Sequence, residues 1–235
     1  MTEHTHKQFD AEMEAVRTGV LAMGGLVETQ LTRAIAALGD DGEMDSIDRV
    51  GATEREINQM QVDIDQQCSQ IIAKRQPAAI DLRMVLTVTK IVNDLERIGD
   101  EVKKIAYKAV QTRDANLLQR IRHSDAVRAA GHAQEMLQLA LDSYARLDPL
   151  AASEVVARDR EIDLAFSGIM RQLISYMMED PRTITPALEI VFIAKSIERI
   201  GDHAKNIAES VVQLVKGKDV RHASAEEIRA EVTGK

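Results

Sequence analysis

The sequence predicts an all-α protein, six helices forming two tandem, similar three-helix bundles. Three observations carry this expectation. Ala, Leu, Met, Glu, Gln, Arg and Lys dominate a composition with no Trp, three Tyr and three Phe, and β-branched, aromatic-rich runs are missing. Apolar residues recur every three or four positions over long stretches. The pentapeptide Glu-Arg-Ile-Gly-Asp occurs at Glu96–Asp100 and again at Glu198–Asp202, and Lys103, Ile105 and Ala106 recur as Lys205, Ile207 and Ala208. Chance supplies two identical five-residue strings in about one sequence in a hundred of this length, so an internal duplication is the better explanation.

Each element follows from its own pattern. Phe9, Met13, Val16, Val20, Met23, Val27, Leu31, Ala34 and Leu38 form one seam of a long first helix, stopped by Gly39-Asp40-Asp41-Gly42. Val50, Ile57, Met60, Ile64, Cys68 and Ile71 mark a second, ending at Lys74-Arg75-Gln76. Pro77 opens the third, with its seam at Ile91, Leu95, Ile98, Val102 and Ile105. After a break at Thr112-Arg113-Asp114, a fourth runs through Ile121, Met136, Leu137 and Leu141. Leu147-Asp148-Pro149 leads into a fifth, with Ile162, Phe166, Ile169 and Leu173 inward, ended by Asp180-Pro181. The sixth carries Ile193, Ile197, Ile200, Ala204, Ile207, Val211 and Leu214.

All four prolines (Pro77, Pro149, Pro181, Pro186) fall at or near the predicted helix starts, where a missing N–H costs nothing. Gly19, Gly24 and Gly25 interrupt the first helix and point to a kink or a close helix–helix approach, in preference to a dimer contact through a flat surface. The second helices of each half also align, Glu54-Arg55-Glu56-Ile57-Asn58 with Asp159-Arg160-Glu161-Ile162-Asp163. These boundaries give a first bundle over 7–111, a second over 115–216, and a mobile polar tail over 217–235 with one helical turn around Ala225–Ala230. The length suits two domains, or one elongated body with two cores.

Bulk properties exclude several roles. No run of about 18 uncharged apolar residues exists to span a bilayer, and the first residues lack the pattern of an export signal. A lone Cys68 agrees with a reducing cytoplasm. With a formal charge of −8 and basic residues scattered among acids, nucleic acid is an unsuitable partner. There is no glycine-rich phosphate cradle, no nucleophile elbow and no cysteine pair for zinc. Glu-x-x-His appears only at Glu3/His6, which disfavours a ferritin-like di-iron site.

The repeat puts two acids one helical turn apart at equivalent places. Such pairs can reach one ion, yet 38 acids in 235 positions produce roughly six by chance, so the information lies in the duplicated context. Glu96 and Asp100 fall opposite the apolar seam, beside Asn93 and Lys103, as do Glu198 and Asp202 beside Lys195 and Lys205. Glu54/Asn58 and Asp159/Asp163 lie on the flank of their seams, where a neighbouring helix could meet them. Together they would make all-oxygen clusters suited to hard cations. The competing explanation is a solvated charged face paired with Lys and Arg. His203 is read as facing solvent rather than as a ligand.

Met23-Gly24-Gly25, Ile72-Ala73-Lys74-Arg75-Gln76-Pro77 with Asp81-Leu82-Arg83, and both Glu-Arg-Ile-Gly-Asp copies together resemble the PhoU family of bacterial phosphate-homeostasis regulators, across nearly the full length. The resemblance implies two three-helix bundles, a homodimer, and in some members a divalent-cation or iron cluster on acid-x-x-x-Asp motifs. Here those motifs are Glu54–Asn58, Glu96–Asp100, Asp159–Asp163 and Glu198–Asp202. Asn58 stands where an acid is expected, which predicts weaker cation binding in the first half. The segment from Arg75 to Arg83 has no close copy before the sixth helix, where Pro181-Arg182-Thr183 stands, so the entrance to the third helix is expected to have a role of its own.

The resemblance also implies a non-catalytic cytoplasmic adaptor between a phosphate ABC transporter ATPase (PstB-like) and a sensor histidine kinase (PhoR-like). It would repress the phosphate regulon when phosphate is plentiful, reaching the membrane only through those partners. The alternatives are a spectrin-like helical spacer and a metal-dependent enzyme.

Overall fold

The structure, a computed structural model, describes residues 2–38, 46–111 and 125–234. The stop at Gly39–Gly42, the break at Thr112–Asp114 and the start of the fourth helix through Ile121 lie outside them. Among the described residues there are seven α-helices and no strand. They are α1 (Thr2–Leu38), α2 (Ser46–Arg75), α3 (Ala79–Gln111), α4 (Asp125–Arg146), α5 (Pro149–Glu179), α6 (Ile184–Lys216) and α7 (Ala225–Thr233). A 3₁₀ turn, Pro181–Thr183, joins α5 to α6.

The first three helices pack on one another, as do α4, α5 and α6, so each half is a three-helix bundle. Every seam residue from Val16 to Leu38 on α1 is buried, as are the whole predicted seams of α3 and α6. Phe9, Met13, Met60 and Phe166 only lean against the core from its edge. The most extensive helix–helix contact is between α3 and α6, one from each half. Consequently the buried residues of both halves join in a single apolar cluster and not in two separate cores. The physical reason is the width of the apolar faces: α3 buries Val88 and Val92 beside its seam, and α6 buries Ala208 and Val212.

Two glycines show why the helices come this close. A Cβ on Gly24 would meet both methyls of Leu141, at 2.7 and 2.8 Å, where α1 crosses α4. One on Gly201 would meet Ile162 Cδ1 at 2.7 Å, where α6 approaches α5. The close-approach explanation therefore holds for Gly24, whereas Gly25 meets nothing within 4 Å.

The prolines sit where a helix needs no donor. Pro149 begins α5 behind the N-cap Asp148, whose carboxylate accepts from the amides of Leu150 and Ala151. Pro77 lies in the connection before α3, which begins at Ala79 rather than at the proline.

The tail differs from the sequence expectation. After Gly217 caps α6 in the left-handed conformation (φ 76°), Val220 is buried and α7 docks on α5 through the fully buried Ile228. Ser224 and Glu227 form a reciprocal capping box at its start. Lys216 Nζ donates to the Val232 carbonyl at 2.9 Å, and Lys218 pairs with Glu231. This segment is held by the buried Val220 and Ile228, by Ala223, Ala225 and Val232 against the core, and by a few polar contacts, which a polar sequence disguises.

Candidate functional site

The duplicated acids lie along the α2–α3 and α5–α6 seams, where Lys103 of α3 reaches Glu54 of α2 and Lys205 of α6 reaches Asp159 of α5. In the second half, Asp159 and Asp163 come from α5, and Glu198 and Asp202 from α6. Asp159 is buried and accepts a hydrogen bond from Lys205 Nζ at 2.7 Å. Glu198 receives Lys195 Nζ on both oxygens, at 2.7 and 2.6 Å.

Asp163 and Asp202 are exposed by residue area, yet their carboxyls are crowded by protein atoms and titrate above the ordinary carboxylate range. Burial is the main cause for both. The charges of Asp159 and Glu198 add to it at Asp163, and those of Glu198 and Asp159 at Asp202. The four carboxylates are thus one electrostatic unit. For Lys205, burial acts to lower the ammonium, but the hydrogen bond and charge of Asp159 outweigh it and hold the group above its usual value.

The first half repeats this with fewer charges. Lys103 Nζ lies 3.0 Å from Glu54 Oε1, the counterpart of the Lys205–Asp159 contact. Asn58 Nδ2 donates to the same oxygen at 3.3 Å. Burial, then the charge of Asp100, pushes Glu96 up; Arg97 acts against this, and Glu54 adds to it. The Arg97 guanidinium lies 3.4 Å from Glu96 and 3.9 Å from Asp100.

Each half therefore assembles its predicted residues, and the donor chemistry is that of a hard-cation site. The arrangement does not fit a metal ion as it stands, because lysines take the oxygens that would face it. Among the described residues no three His, Cys, Asp or Glu side chains converge to hold one.

His203 does not face solvent. Its Nδ1 lies 2.8 Å from Asp94 Oδ1 on α3, with Asn206 Nδ2 donating to the same oxygen at 3.3 Å. Sequence reasoning passed over Glu101, one residue beyond the motif. This carboxylate is 3% exposed, accepts from Ser196 Oγ (2.9 Å) and Lys104 Nζ (2.9 Å), and pairs with Arg199 Nη1 at 3.1 Å. No periodicity signals it, because two of its partners come from the other half.

The segment around Pro77 proves to be a pair of clamps. Arg75 holds Glu12 of α1 with two hydrogen bonds, at 3.0 and 2.7 Å. Arg83 Nη1 donates to the Leu214 carbonyl at the end of α6 and lies over Gly217. The asymmetry seen in the sequence thus has a structural basis: the entrance of α3 secures the exit of α6.

A protein of this class is a duplicated helical bundle with an acid-x-x-x-Asp pair at the same point of each half. The family model of the PhoU domain matches the chain twice, over residues 20–109 and 126–211. The chain is 44% identical over 236 residues to the phosphate-specific transport system accessory protein PhoU homolog of Pseudomonas aeruginosa, covering 99% of this chain and 95% of the relative. It is 41% identical over 235 residues to the phosphate-specific transport system accessory protein PhoU of Escherichia coli, covering 100% and 96%.

Among solved structures, PhoU from Pseudomonas aeruginosa matches with a TM-score of 0.82 at 44% identity, over 89% of this chain and all of that one. The phosphate transport system regulatory protein PhoU from Streptococcus pneumoniae matches with 0.82 at 25% identity, over 90% and 99%. The chain belongs to the PhoU family.

Proposed function

We propose that this protein is a non-catalytic regulator of phosphate uptake, acting by protein–protein contact. It would dock on the ATPase of a phosphate ABC transporter and on a sensor histidine kinase, and hold the phosphate regulon off when phosphate is plentiful. The observation that carries this reading is full-length similarity, in both repeats, to relatives named as accessory proteins of phosphate-specific transport. A physical feature suits it. Ile184, Leu188 and Phe192 stand exposed at successive turns of α6, an apolar stripe of the kind used in helix docking.

No helix among the described residues is long and apolar enough to cross a membrane. In this proposal the protein reaches the inner membrane face through its partners, and its working form is a homodimer. Divalent-cation binding at the two acid clusters belongs to the same proposal, on condition that the resident lysines are displaced.

The test is a pulldown with the transporter ATPase and the kinase cytoplasmic domain, paired with a regulon reporter in a deletion strain. Retention of at least one partner and an open regulon in rich phosphate are expected. Retention of neither, with a silent reporter, overturns the reading.

A further inference from the structure

Beyond the conservative Glu54/Asp159 exchange, the two acid clusters differ at three aligned positions, and the differences belong together. In the first half these are Asn58, Gln61 and Asn93; in the second they are Asp163, Phe166 and Lys195. In the first half the residues are neutral, and Gln61 Nε2 donates to Asn93 Oδ1 at 2.8 Å across the α2–α3 seam. In the second, Lys195 Nζ lies 5.6 Å from the Phe166 ring centroid while donating to both oxygens of Glu198. The aromatic face helps hold the ammonium at the cluster. The additional acid of the second half is therefore accompanied by an additional cation, seated on its own platform.

The second lysine is common to both halves, Lys103 on Glu54 and Lys205 on Asp159. Arg97 stands at the rim of the first cluster, whereas its counterpart Arg199 turns away to Glu101. Counting carboxylates alone thus gives no ranking of the two halves.

We infer that Lys195 and Lys205 are the resident counter-cations of the second cluster, and that a divalent cation reaching Asp159, Asp163, Glu198 and Asp202 has to displace them. A tethered ammonium at 2.6–2.7 Å occupies the oxygens a metal would need. It also removes part of the negative potential that attracts one. The two lysines then set the cation affinity of the cluster without ever being ligands. This inference rests on the proposal that these acids meet divalent cations.

The experiment uses the full chain with Glu96→Gln and Asp100→Asn, which leaves only the second cluster intact, and titrates it with Mn²⁺ by calorimetry. Lys195→Met is the first variant, because its half-exposed side chain can be removed without opening the core; Lys205→Met is the second. Each is expected to tighten Mn²⁺ binding about tenfold or more, from the loss of one unit charge a few ångströms away. In the reciprocal background, Glu198→Gln with Asp202→Asn, Asn93→Lys should weaken binding at the first cluster. Unchanged affinity in the lysine variants, with the parent still binding, overturns the counter-cation role but leaves the cation proposal standing. No Mn²⁺ binding in any form overturns both.

Discussion

His203 Nδ1 lies 2.8 Å from Asp94 Oδ1, and the duplication makes a counterpart of this contact: Ser196 Oγ donates to Glu101 Oε2 at 2.9 Å. Positions 94 and 196, and 101 and 203, are equivalent under the offset of 102 residues. The same two places in each repeat therefore tie α3 to α6, with different chemistry. Removing Glu101 tests how much this junction contributes. Glu101→Ala leaves Arg199 and Lys104 free to turn to water, so the loss is expected to be about 1–3 kcal/mol. Urea denaturation of the full chain measures it, and an unchanged midpoint would show that the junction is ornamental.

Neighbouring glycines of α1 should respond in opposite directions. Gly24→Ala brings a methyl against Leu141, an overpacking of about 1–3 kcal/mol that exceeds the gain of up to about 1 kcal/mol in helix propensity. Gly25→Ala meets nothing and keeps the propensity gain, raising the melting temperature by about 2–4 °C. Thermal melts of the two variants decide it, and equal shifts would contradict the packing described for Gly24.

Arg83 closes the C-terminal end of α6, so Arg83→Met is expected to loosen the chain beyond that helix. One hydrogen bond to the Leu214 carbonyl is lost, about 1 kcal/mol. Hydrogen exchange should quicken over residues 217–234 with little change in α1. Uniform quickening throughout would mean that Arg83 supports the whole fold and not this end.

Glu209 gives a pH dependence with a definite sign. It is buried, and desolvation, partly offset by Lys205, raises its carboxyl above the ordinary range of about 4. Between those two values the folded chain binds the proton and the unfolded chain does not, so its contribution to stability rises as pH falls through the window and declines as pH rises. Glu209→Gln should therefore stabilise the protein at neutral pH and flatten the rise in melting temperature as pH falls toward the ordinary carboxylate range of about 4. A variant as pH-sensitive as the parent would exclude Glu209 as the source.

What could be read from the sequence was what depends on local periodicity and on repetition. The seams of α1, α3 and α6 are spelled out by spacing, and the identical pentapeptides located both acid clusters. The union of the halves could not be read, because the wide apolar faces of α3 and α6 match across more than a hundred residues. His203 and Glu101 were misplaced or passed over for the same reason, since each finds a partner on the opposite repeat. The docked tail left one legible signal, Ser224 followed three residues later by Glu227, but its buried anchors Val220 and Ile228 are isolated apolar residues that make no periodic pattern.

Because α7 lies along α5, the protein is clothed on one flank, and among the described residues no helix covers α2 in the same way. The C-terminal helix thus sets the second half apart from the first: α5 carries a covered flank, and its counterpart α2 has none among the described residues.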